Sequence, residues 1–344
     1  MPEPRFLLVR LGSLGDVVHA LPAAAALRDT FPAARIDWVI DPKWSRVLDG
    51  NPDLNRAIPL NRMSAAAIAS TVRLLRATKY TCAIDFQALY KSALLAFASG
   101  APRRIGFCAA YAREGLAAVL YTDRFNPRGA HKVDHNLTLA IEAGARTLSA
   151  PARFSLAIHP EDDVEVSRQL DAYSLGQFFV VNPGGGWRSK CWPPERYGEL
   201  HRRLAPQYGW RGVVTYGPGE EDLARAVIAA AGDPPPVALP LGLGPLMALL
   251  RRARFVVSAD TGPLHLASAL RAPTIGLFGP TDPARNGPYT AGDIAVRNPR
   301  WSETTYRRGA SYSAAMLSIT VDQVAAAVAR RLGATQQSHE RAEP

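Results

Sequence analysis

One stretch of sequence decides the fold of this chain: residues 255–267, which read FVVSADTGPLHLA. The apolar run at its start is typical of a buried strand in a parallel sheet, and the segment from Asp260 to Gly262 then leads into a helix. The first turn of that helix leaves several backbone N–H groups without partners inside the helix. These donors and the helix dipole favour an anion such as phosphate. An ordinary connection capped by Thr261 explains the segment equally well, so the rest of the chain must decide.

Apolar runs of the same kind recur along the chain and alternate with stretches that have helical spacing. The runs lie at residues 5–10, 36–40, 82–86, 178–182, 212–216, 255–258 and 274–278. This alternation predicts an α/β protein in which parallel, doubly wound sheets carry helices on both faces. A polar segment at residues 157–163 separates two such series. We therefore predict two domains, at residues 1–160 and 161–317, followed by a helix at 318–333 and a frayed tail at 334–344.

Composition limits the classes of protein to which the chain can belong. Its 344 residues suit two domains, and its three cysteines are too widely spaced to indicate a disulfide framework or a zinc site. The net charge of +10 favours anionic partners, such as nucleic acid, acidic lipid or phosphorylated sugars. We expect no nucleic-acid partner, because the basic residues form no stripe interleaved with aromatic ones. The few cysteines fit a reducing cytoplasm, which is the expected location. The first apolar run is too short for a signal peptide, and no segment is long enough to span a bilayer.

The first strand is followed by a glycine-containing turn, and residues 9–19 read VRLGSLGDVVH. Gly12 and Gly15 give a tight turn with room for a ligand, but their spacing is not the G-x-G-x-x-G of dinucleotide sites. A nicotinamide-dependent oxidoreductase is therefore disfavoured. Asp16 lies at the start of the next helix, at the carboxyl edge of the first strand, where open α/β sheets bind their ligands. This carboxylate either interacts with the helix dipole or acts as a general base.

A second glycine-rich loop opens the second series of strands, where residues 178–193 read FFVVNPGGGWRSKCWP. Three glycines after a buried strand make a loop that can surround a ligand, and Arg188 and Lys190 supply positive charge beside it. A surface loop with solvated bases is the alternative. The next strand also runs into a glycine turn. Glu220 or Glu221 can accept hydrogen bonds from ribose hydroxyls there, or can belong to an acidic first turn of a helix.

Taken together, these segments resemble glycosyltransferase family nine, the lipopolysaccharide heptosyltransferases, over almost the whole chain. The motifs stand in the family's order and spacing: GSLGD at 12–16, NPG at 182–184 with Lys190 and Trp192, DTGPLH at 260–265 and FGPTDP at 278–283. Within the family, the segments most similar to heptosyltransferase I are DFQALYKS at 85–92 and Ala112-Arg113-Glu114 before His131. Ala88 stands where that group usually has glycine.

The resemblance implies the GT-B architecture, in which two Rossmann-like domains face a cleft and the C-terminal helix returns to the first domain. Residues 1–160 would bind the acceptor, and residues 161–317 the nucleotide-sugar donor. It further implies an inverting enzyme that moves heptose from ADP-heptose to the Kdo region of the lipopolysaccharide inner core. We expect no metal or other cofactor, because a lysine and a helix terminus can replace a cation and the sequence has no Asp-x-Asp pair suited to hold one. The alternatives are a family member with another acceptor, such as a heptosyltransferase II or a protein heptosyltransferase, and a non-catalytic nucleotide-sugar-binding protein.

The resemblance also assigns roles to residues of this chain. Asp16 would be the general base, and Lys190 with the N–H groups of Thr261 and Gly262 would stabilise the leaving diphosphate. His265 would either face the diphosphate or support the turn. The expected donor-binding residues are Asn182, Gly184, Arg188, Lys190, Glu220, Glu221, Asp260, Thr261, Gly262 and His265. The expected acceptor-binding residues are Ser13, Gly15, Gln87, Lys91, Arg113 and His131.

The expected partners are ADP-heptose, a lipid-linked phosphorylated saccharide and the anionic surface of the inner membrane, on its cytoplasmic face. With a net charge of +10 and no anchor in the sequence, attachment to that surface is expected to be electrostatic and sensitive to salt. The motifs for donor phosphates do not distinguish the acceptors of different family members. The subclass, the donor sugar's stereochemistry and the oligomeric state therefore stay open at this stage.

Overall fold

The structure, a computed structural model, describes residues 3–146, 151–301 and 303–340. The chain divides into two compact units, Met1–Ala157 and Ile158–Pro344, and the division falls at the start of the polar segment. Each unit contains a six-stranded parallel sheet with helices around it. The predicted α/β class with two doubly wound sheets is confirmed.

The first unit is a parallel sheet flanked by helices. Its strands are β1 (Arg5–Val9), β2 (Arg35–Ile40), β3 (Arg56–Pro59), β4 (Cys82–Asp85), β5 (Arg103–Phe107) and β6 (Asp123–Phe125). Its helices are α1 (Leu14–Val18), α2 (Leu21–Thr30), α3 (Ala65–Thr78), α4 (Tyr90–Ala98) and α5 (Lys132–Glu142), with 3-10 helices at Pro42–Leu48 and Gly115–Leu120. The strands lie in the order β3-β2-β1-β4-β5-β6.

Strand β1 lies at the centre of this sheet and is buried on both faces. From Phe6 to Val9 no residue is more than 2% exposed, because helices cover both sides of the sheet. Strands β2 and β3 lie on one side of β1, and β4 to β6 lie on the other. The direction of winding therefore reverses between β1 and β4. Open α/β sheets bind their ligands outside the carboxyl ends of the strands at such a reversal.

The second unit repeats this plan. Its strands are β7 (Phe178–Asn182), β8 (Arg211–Tyr216), β9 (Val237–Pro240), β10 (Val256–Ala259), β11 (Thr274–Leu277) and β12 (Ile294–Val296). Its helices are α6 (Pro160–Ala172), α7 (Pro194–Tyr208), α8 (Glu221–Ala230), α9 (Leu243–Arg252), α10 (Gly262–Ala269), α11 (Pro283–Asn286), α12 (Ala314–Leu317) and α13 (Val321–Glu340), with a 3-10 helix at Arg188–Lys190. The strands lie in the order β12-β11-β10-β7-β8-β9, so the reversal falls between β7 and β10.

Aromatic packing holds the core of the second unit together. The rings of Phe179 and Phe255 stack with their centroids 4.7 Å apart. Trp192 is fully buried, and its indole Nε1–H donates to the carbonyl oxygen of Ile319 at 2.9 Å. This bond ties the segment after the glycine-rich loop to the segment before α13, so the loop begins and ends on fixed elements.

The short edge strands are absent from the apolar runs that the sequence displays. Strands β6 and β12 have three residues each, and none of these residues is fully buried. An edge strand has a neighbour on one side only, so it needs less apolar surface than a central one. Hydrophobic patterning therefore finds the central strands of each sheet and misses its edges. It also misses β5, an internal strand that begins with two arginines.

The last helix is longer than the sequence predicts. It begins at Val321 and continues to Glu340, beyond the predicted end at residue 333. Gly333 does not end it, because a glycine inside a helix costs only about 1 kcal/mol and no proline follows before the end of the helix. Val324 and Val328 are buried in the core of the second unit. The return of this helix to the first domain stays a prediction, and residues 341–344 lie outside the described part of the chain.

Candidate functional site

Asp16 is the centre of a charged cluster at the carboxyl edge of the first sheet. It lies on α1, directly after the turn that follows β1. Its Oδ2 is 2.7 Å from the guanidinium of Arg10, and its Oδ1 is 2.9 Å from the Nζ of Lys132. The hydroxyl and the backbone N–H of Ser13 also donate to Oδ2, at 2.9 and 3.2 Å. The carboxylate remains 12% exposed, so a small ligand atom can reach it.

The surrounding charges determine the protonation state of Asp16. Burial by itself would raise the pKa of this carboxyl group, but the positive charges of Arg10 and Lys132 outweigh burial and hold the pKa well below its usual range. The group is therefore a carboxylate at neutral pH. The sequence indicated Asp16 and missed both cations. The signals were present, since Arg10 ends the first apolar run and Lys132 follows the singled-out His131.

Four of the residues expected to bind the acceptor surround this turn. Ser13 is bonded to Asp16, and Gly15 is buried on α1. The side-chain oxygen of Gln87, which follows β4, accepts from the backbone N–H of Leu11 at 2.8 Å. His131 caps α5 by accepting from the N–H of Val133 at 3.1 Å, and α5 also carries Lys132. The turns after β1 and β4 and the start of α5 are thus joined at one place.

Lys91 and Arg113 lie elsewhere on the first unit. Lys91 is exposed on the first turn of α4, and Arg113 is exposed in the segment before the 3-10 helix at Gly115–Leu120. Within the described residues, neither side chain forms a hydrogen bond or ion pair with Asp16. Their expected role in binding the acceptor stays a prediction.

A buried carboxylate shapes the loop between β4 and α4. Asp85 is fully buried at the end of β4 and accepts from the N–H groups of Gln87 and Ala88, at 2.8 and 3.2 Å. Its other oxygen accepts from the hydroxyls of Ser92 and Tyr121, each at 2.7 Å. Burial raises the pKa of Asp85 in spite of these hydrogen bonds. The loop that presents Gln87 is therefore built around one carboxyl group.

The backbone conformation at Ala88 explains why the motif that this segment resembles usually has glycine at this position. Its φ is +52°, in the left-handed region that costs a residue with a Cβ about 1–2 kcal/mol. We expect Ala88→Gly to raise the free energy of unfolding by up to about 1 kcal/mol, because the relief of strain exceeds the added entropy of the unfolded chain. Thermal melts measure this difference. Ala93→Gly, at a buried position inside α4, is the matched control and should destabilise the protein; equal losses in both variants would contradict the argument.

The second unit carries a triad of Lys190, Asp260 and His265 beside the start of α10. The Nζ of Lys190 is 2.7 Å from Oδ2 of Asp260, and Nε2 of His265 is 3.2 Å from Oδ1 of the same carboxylate. Asp260 is 5% exposed and Lys190 is 12% exposed. Burial would raise the pKa of Asp260, but the hydrogen bond from His265 and the charge of Lys190 lower it below its usual range. His265 thus contacts Asp260, which lies on the turn before its own helix.

The first turn of α10 is not capped by the side chain of Thr261. The Thr261 hydroxyl instead lies 3.0 Å from the hydroxyl of Ser258. Thr261 thus occupies the cap position of an ordinary connection without forming the side-chain hydrogen bond of a capped one. Beside this turn, the ammonium group of Lys190 lies 4.4 Å from the ring centroid of Trp187. The start of α10 thus combines backbone donors with a lysine held between a carboxylate and an aromatic ring.

Glu220 joins the two glycine loops of the second unit. Its carboxylate accepts from the N–H of Gly217 at 2.8 Å and from the N–H of Gly185 at 3.2 Å. A Cβ at Gly184 would collide with this carboxylate, so a larger residue there would displace the side chain of Glu220. Glu221 is exposed and accepts from the N–H of Gly219 at 3.3 Å. Glu220 is therefore engaged with the backbone, and its expected contact with ribose stays a prediction.

Two donor-binding candidates remain, Asn182 and Arg188. The first is buried and holds two strands together, and the second is exposed. Asn182 is buried at the end of β7 and donates to the carbonyl and hydroxyl oxygens of Thr215, at 3.0 and 3.1 Å. It fixes the distance between the ends of β7 and β8. Arg188 is exposed, with its guanidinium 4.2 Å from the ring centroid of Tyr312. The carboxyl ends of β7, β8 and β10 thus bring together most of the residues that the sequence singled out in this unit.

A metal-binding cluster is not found in the described part of the chain. No group of three or more histidine, cysteine, aspartate or glutamate side chains there is arranged to hold an ion. None of the helices within residues 3–146, 151–301 and 303–340 combines the length and the apolar character needed to cross a bilayer. The cysteines Cys82, Cys108 and Cys191 are free thiols.

Comparison with known proteins identifies the family. The model for glycosyltransferase family 9 (heptosyltransferase) matches residues 68–315. Lipopolysaccharide heptosyltransferase 1 of Pseudomonas aeruginosa is 33% identical over 297 residues, which cover 83% of this chain and 81% of that protein. The structure of E. coli heptosyltransferase WaaC with ADP has a TM-score of 0.75 and 26% identity, and covers 96% of this chain and 99% of its own. The structure of WaaC with ADP-2-deoxy-2-fluoro heptose has a TM-score of 0.72 and 26% identity, and it covers 98% of this chain and 100% of its own.

These matches confirm the GT-B class and the resemblance that the motifs indicate. The chain belongs to glycosyltransferase family 9, the heptosyltransferases.

Proposed function

We propose that this protein transfers heptose from ADP-heptose to the Kdo region of the lipopolysaccharide inner core, with inversion and without a metal. The observation that carries the proposal is the Lys190–Asp260–His265 triad at the uncapped start of α10. It offers a cation and backbone donors to a diphosphate. The choice of ADP-heptose is supported by the complexes of WaaC, a relative at 26% identity, with ADP and with a fluorinated ADP-heptose.

The second unit would stabilise the leaving group. As the glycosidic bond breaks, negative charge grows on the diphosphate, and fixed donors that face this charge lower the barrier. Lys190 and the first N–H groups of α10 would supply these donors. Asp260 and His265 would act as positioning residues, because they hold the ammonium group of Lys190 in place. A lysine and a helix terminus can together provide the charge that other enzymes obtain from a divalent cation.

The first unit would supply the base. Asp16 would take the proton from the acceptor hydroxyl as that oxygen attacks the anomeric carbon. The low pKa of Asp16 keeps the group deprotonated at neutral pH, so no prior loss of a proton is needed. Arg10 and Lys132 reduce its basicity, and they also place two cations beside the position where a phosphorylated acceptor would bind.

The deciding experiment is release of ADP from ADP-heptose in the presence of defined acceptors. Transfer to a truncated lipopolysaccharide that ends in Kdo is expected. Transfer only to an acceptor that already carries heptose would assign the protein to a heptosyltransferase II activity, and transfer to a polypeptide would make it a protein heptosyltransferase. Binding of ADP-heptose without transfer to any of these acceptors would show that the protein is a non-catalytic nucleotide-sugar-binding protein.

Metal independence gives a separate prediction. We expect the transfer rate to be unchanged when EDTA is added in excess, because Lys190 and the start of α10 supply the charge that a cation would provide. The measurement is the initial rate of ADP release after extensive dialysis against chelator. Loss of activity with EDTA, followed by recovery on addition of Mg²⁺ or Mn²⁺, would show that a metal takes part.

We further infer that the protein works as a peripheral protein on the cytoplasmic face of the inner membrane. A Kdo-terminated acceptor is carried on lipid, so the enzyme must meet it at a bilayer surface. The net charge of +10 supports this, because basic residues are attracted to anionic lipid headgroups.

A further inference from the structure

Helix α4 of the first unit has an apolar face that the described part of this unit leaves about half exposed. Tyr90, Leu94 and Phe97 are spaced at i, i+4 and i+7, which places them on one side of the helix. They are 49%, 46% and 49% exposed, respectively. The opposite side of α4, including Ala93 and Ala96, is fully buried in the unit's core. The helix is therefore apolar on both sides although only one of them is packed.

The 3-10 helix at Gly115–Leu120 packs against α4 and exposes two further apolar side chains beside it. Its Ala117 and Ala118 are buried beside Ala93, whereas Leu116 and Val119 are each 72% exposed. We define the α4 apolar face as Tyr90, Leu94, Phe97, Leu116 and Val119. Exposed apolar residues are ordinarily scattered singly over a protein surface, and a contiguous group of them indicates a binding surface.

Basic side chains form the rim of the α4 apolar face. Lys91 and Arg113 are exposed and lie close to its members in sequence, one residue after Tyr90 and three residues before Leu116. The guanidinium of Arg104 lies 5.4 Å from the ring centroid of Phe97, and Nε of Arg76 donates to the last carbonyl oxygen of α4, that of Ala98, at 2.9 Å. The acidic residue in this region, Glu114, is bonded to the backbone at the start of α4 at 2.7 Å. An apolar centre with a cationic rim matches a bilayer that carries anionic headgroups.

We propose that the α4 apolar face inserts into the interfacial region of an anionic membrane, and this proposal rests on the proposed transfer to a lipid-borne acceptor. The placement suits that function. Helix α4 starts at the loop in which Gln87 bonds to Leu11, on the turn that leads to Asp16. From Tyr90 the helix runs about 10 Å to Phe97. A bilayer at this face therefore holds a membrane-anchored saccharide near the edge of the sheet that carries the base.

This surface changes the expected dependence of membrane binding on salt. The sequence predicts an attachment by charge alone, which would largely disappear at about 0.5 M salt, where the Debye length is only a few ångströms. Insertion of apolar side chains is not screened by salt. Part of the binding is therefore expected to persist at high salt, and replacement of an inserted leucine should reduce that part.

The test is co-sedimentation of the full chain with vesicles of phosphatidylethanolamine, with and without phosphatidylglycerol. We expect Leu94→Ser and Leu116→Ser each to weaken partition onto the anionic vesicles about tenfold, which corresponds to about 1.4 kcal/mol. Val164→Ser, at a 57% exposed position on α6 of the second unit, is the matched control and should bind like the wild type. Vesicles without phosphatidylglycerol should bind all three variants and the wild type weakly.

Activity on a water-soluble, delipidated acceptor separates this proposal from the proposed function. Both leucine variants should keep the wild-type kcat on that acceptor, since neither residue lies in the candidate site. Failure of the wild type to use any acceptor would refute the proposed function. Sedimentation would still show whether the α4 apolar face binds the membrane. Wild-type partition by both leucine variants would overturn the proposal. The proposal would also be overturned if the wild type were a dimer in the absence of lipid and either Leu94→Ser or Leu116→Ser made it a monomer. The α4 apolar face would then join two copies of the chain.

Discussion

Asp16→Asn is expected to lower kcat by about 10²–10⁴-fold, the range over which a positioned general base contributes to rate. Asparagine keeps the size of the side chain and one oxygen that can accept from Ser13, but it cannot take a proton from the acceptor hydroxyl. The affinity for ADP should stay near that of the wild type, because the donor-binding candidates lie in the other unit. Initial rates of ADP release at saturating acceptor, together with titration of ADP, measure the two quantities separately.

A stability control is needed because Asp16→Asn also removes a counterion. Arg10 is only 11% exposed, and its positive charge would face that of Lys132 without the carboxylate between them. Glu142→Gln is the matched comparison, since it removes an ion-paired carboxylate from the far end of α5 in the same unit. We expect Glu142→Gln to keep its activity. If folded Asp16→Asn, verified by its thermal melt, retains near-normal turnover, Asp16 only compensates the charges of Arg10 and Lys132.

The centre of each sheet could be predicted from the sequence because burial on both faces leaves an unambiguous apolar run. Phe255–Val257 and the run at residues 5–10 are such segments, and the structure places them in β10 and β1 or directly beside these strands. The edge strands β6 and β12 have only three residues each, which is too short a run to stand out. The exposed side of α4 was missed for a related reason. A helix rich in leucine and alanine predicts burial, and nothing in its spacing shows that one side lacks a partner.

The candidate site was predicted as a set of single residues and not as a set of contacts. Glycine loops and residues that follow strands are local signals, so Asp16, Lys190 and Asp260 could be found. The ion pair between Lys132 and Asp16 joins residues 116 positions apart, and it exists only because α5 returns to the edge of β1. The hydrogen bond from the N–H of Gly185 to Glu220 joins residues 35 positions apart, and it also forms only in the folded chain. Long-range pairs of this kind have no signature in a single sequence.

Lys190→Met is expected to reduce kcat/KM by about 10²–10³-fold, comparable to the loss of one donor that stabilises a developing anion. A contact with phosphate acts in the ground state and strengthens as the diphosphate leaves, so both the affinity for ADP and kcat should fall. The change has a second consequence, because it leaves the buried Asp260 with His265 as the remaining member of the triad. Breaking a buried pair in this way costs about 3 kcal/mol of stability.

The pH dependence of unfolding identifies the loss of stability that follows when Asp260 loses its lysine partner. The folded-state pKa of Asp260 is depressed, so its pairing stabilises the wild type above the ordinary carboxyl pKa of about 4 and loses this effect as the pH falls through the lower, folded-state value. The stability deficit of Lys190→Met should therefore be largest at neutral pH and shrink in acid. Asp260→Asn added to Lys190→Met removes the buried carboxylate that has lost its lysine, and we expect the double variant to regain stability at neutral pH while transfer stays low. Recovery of transfer together with stability would mean that Lys190 serves only to neutralise Asp260 and makes no contact with the leaving diphosphate.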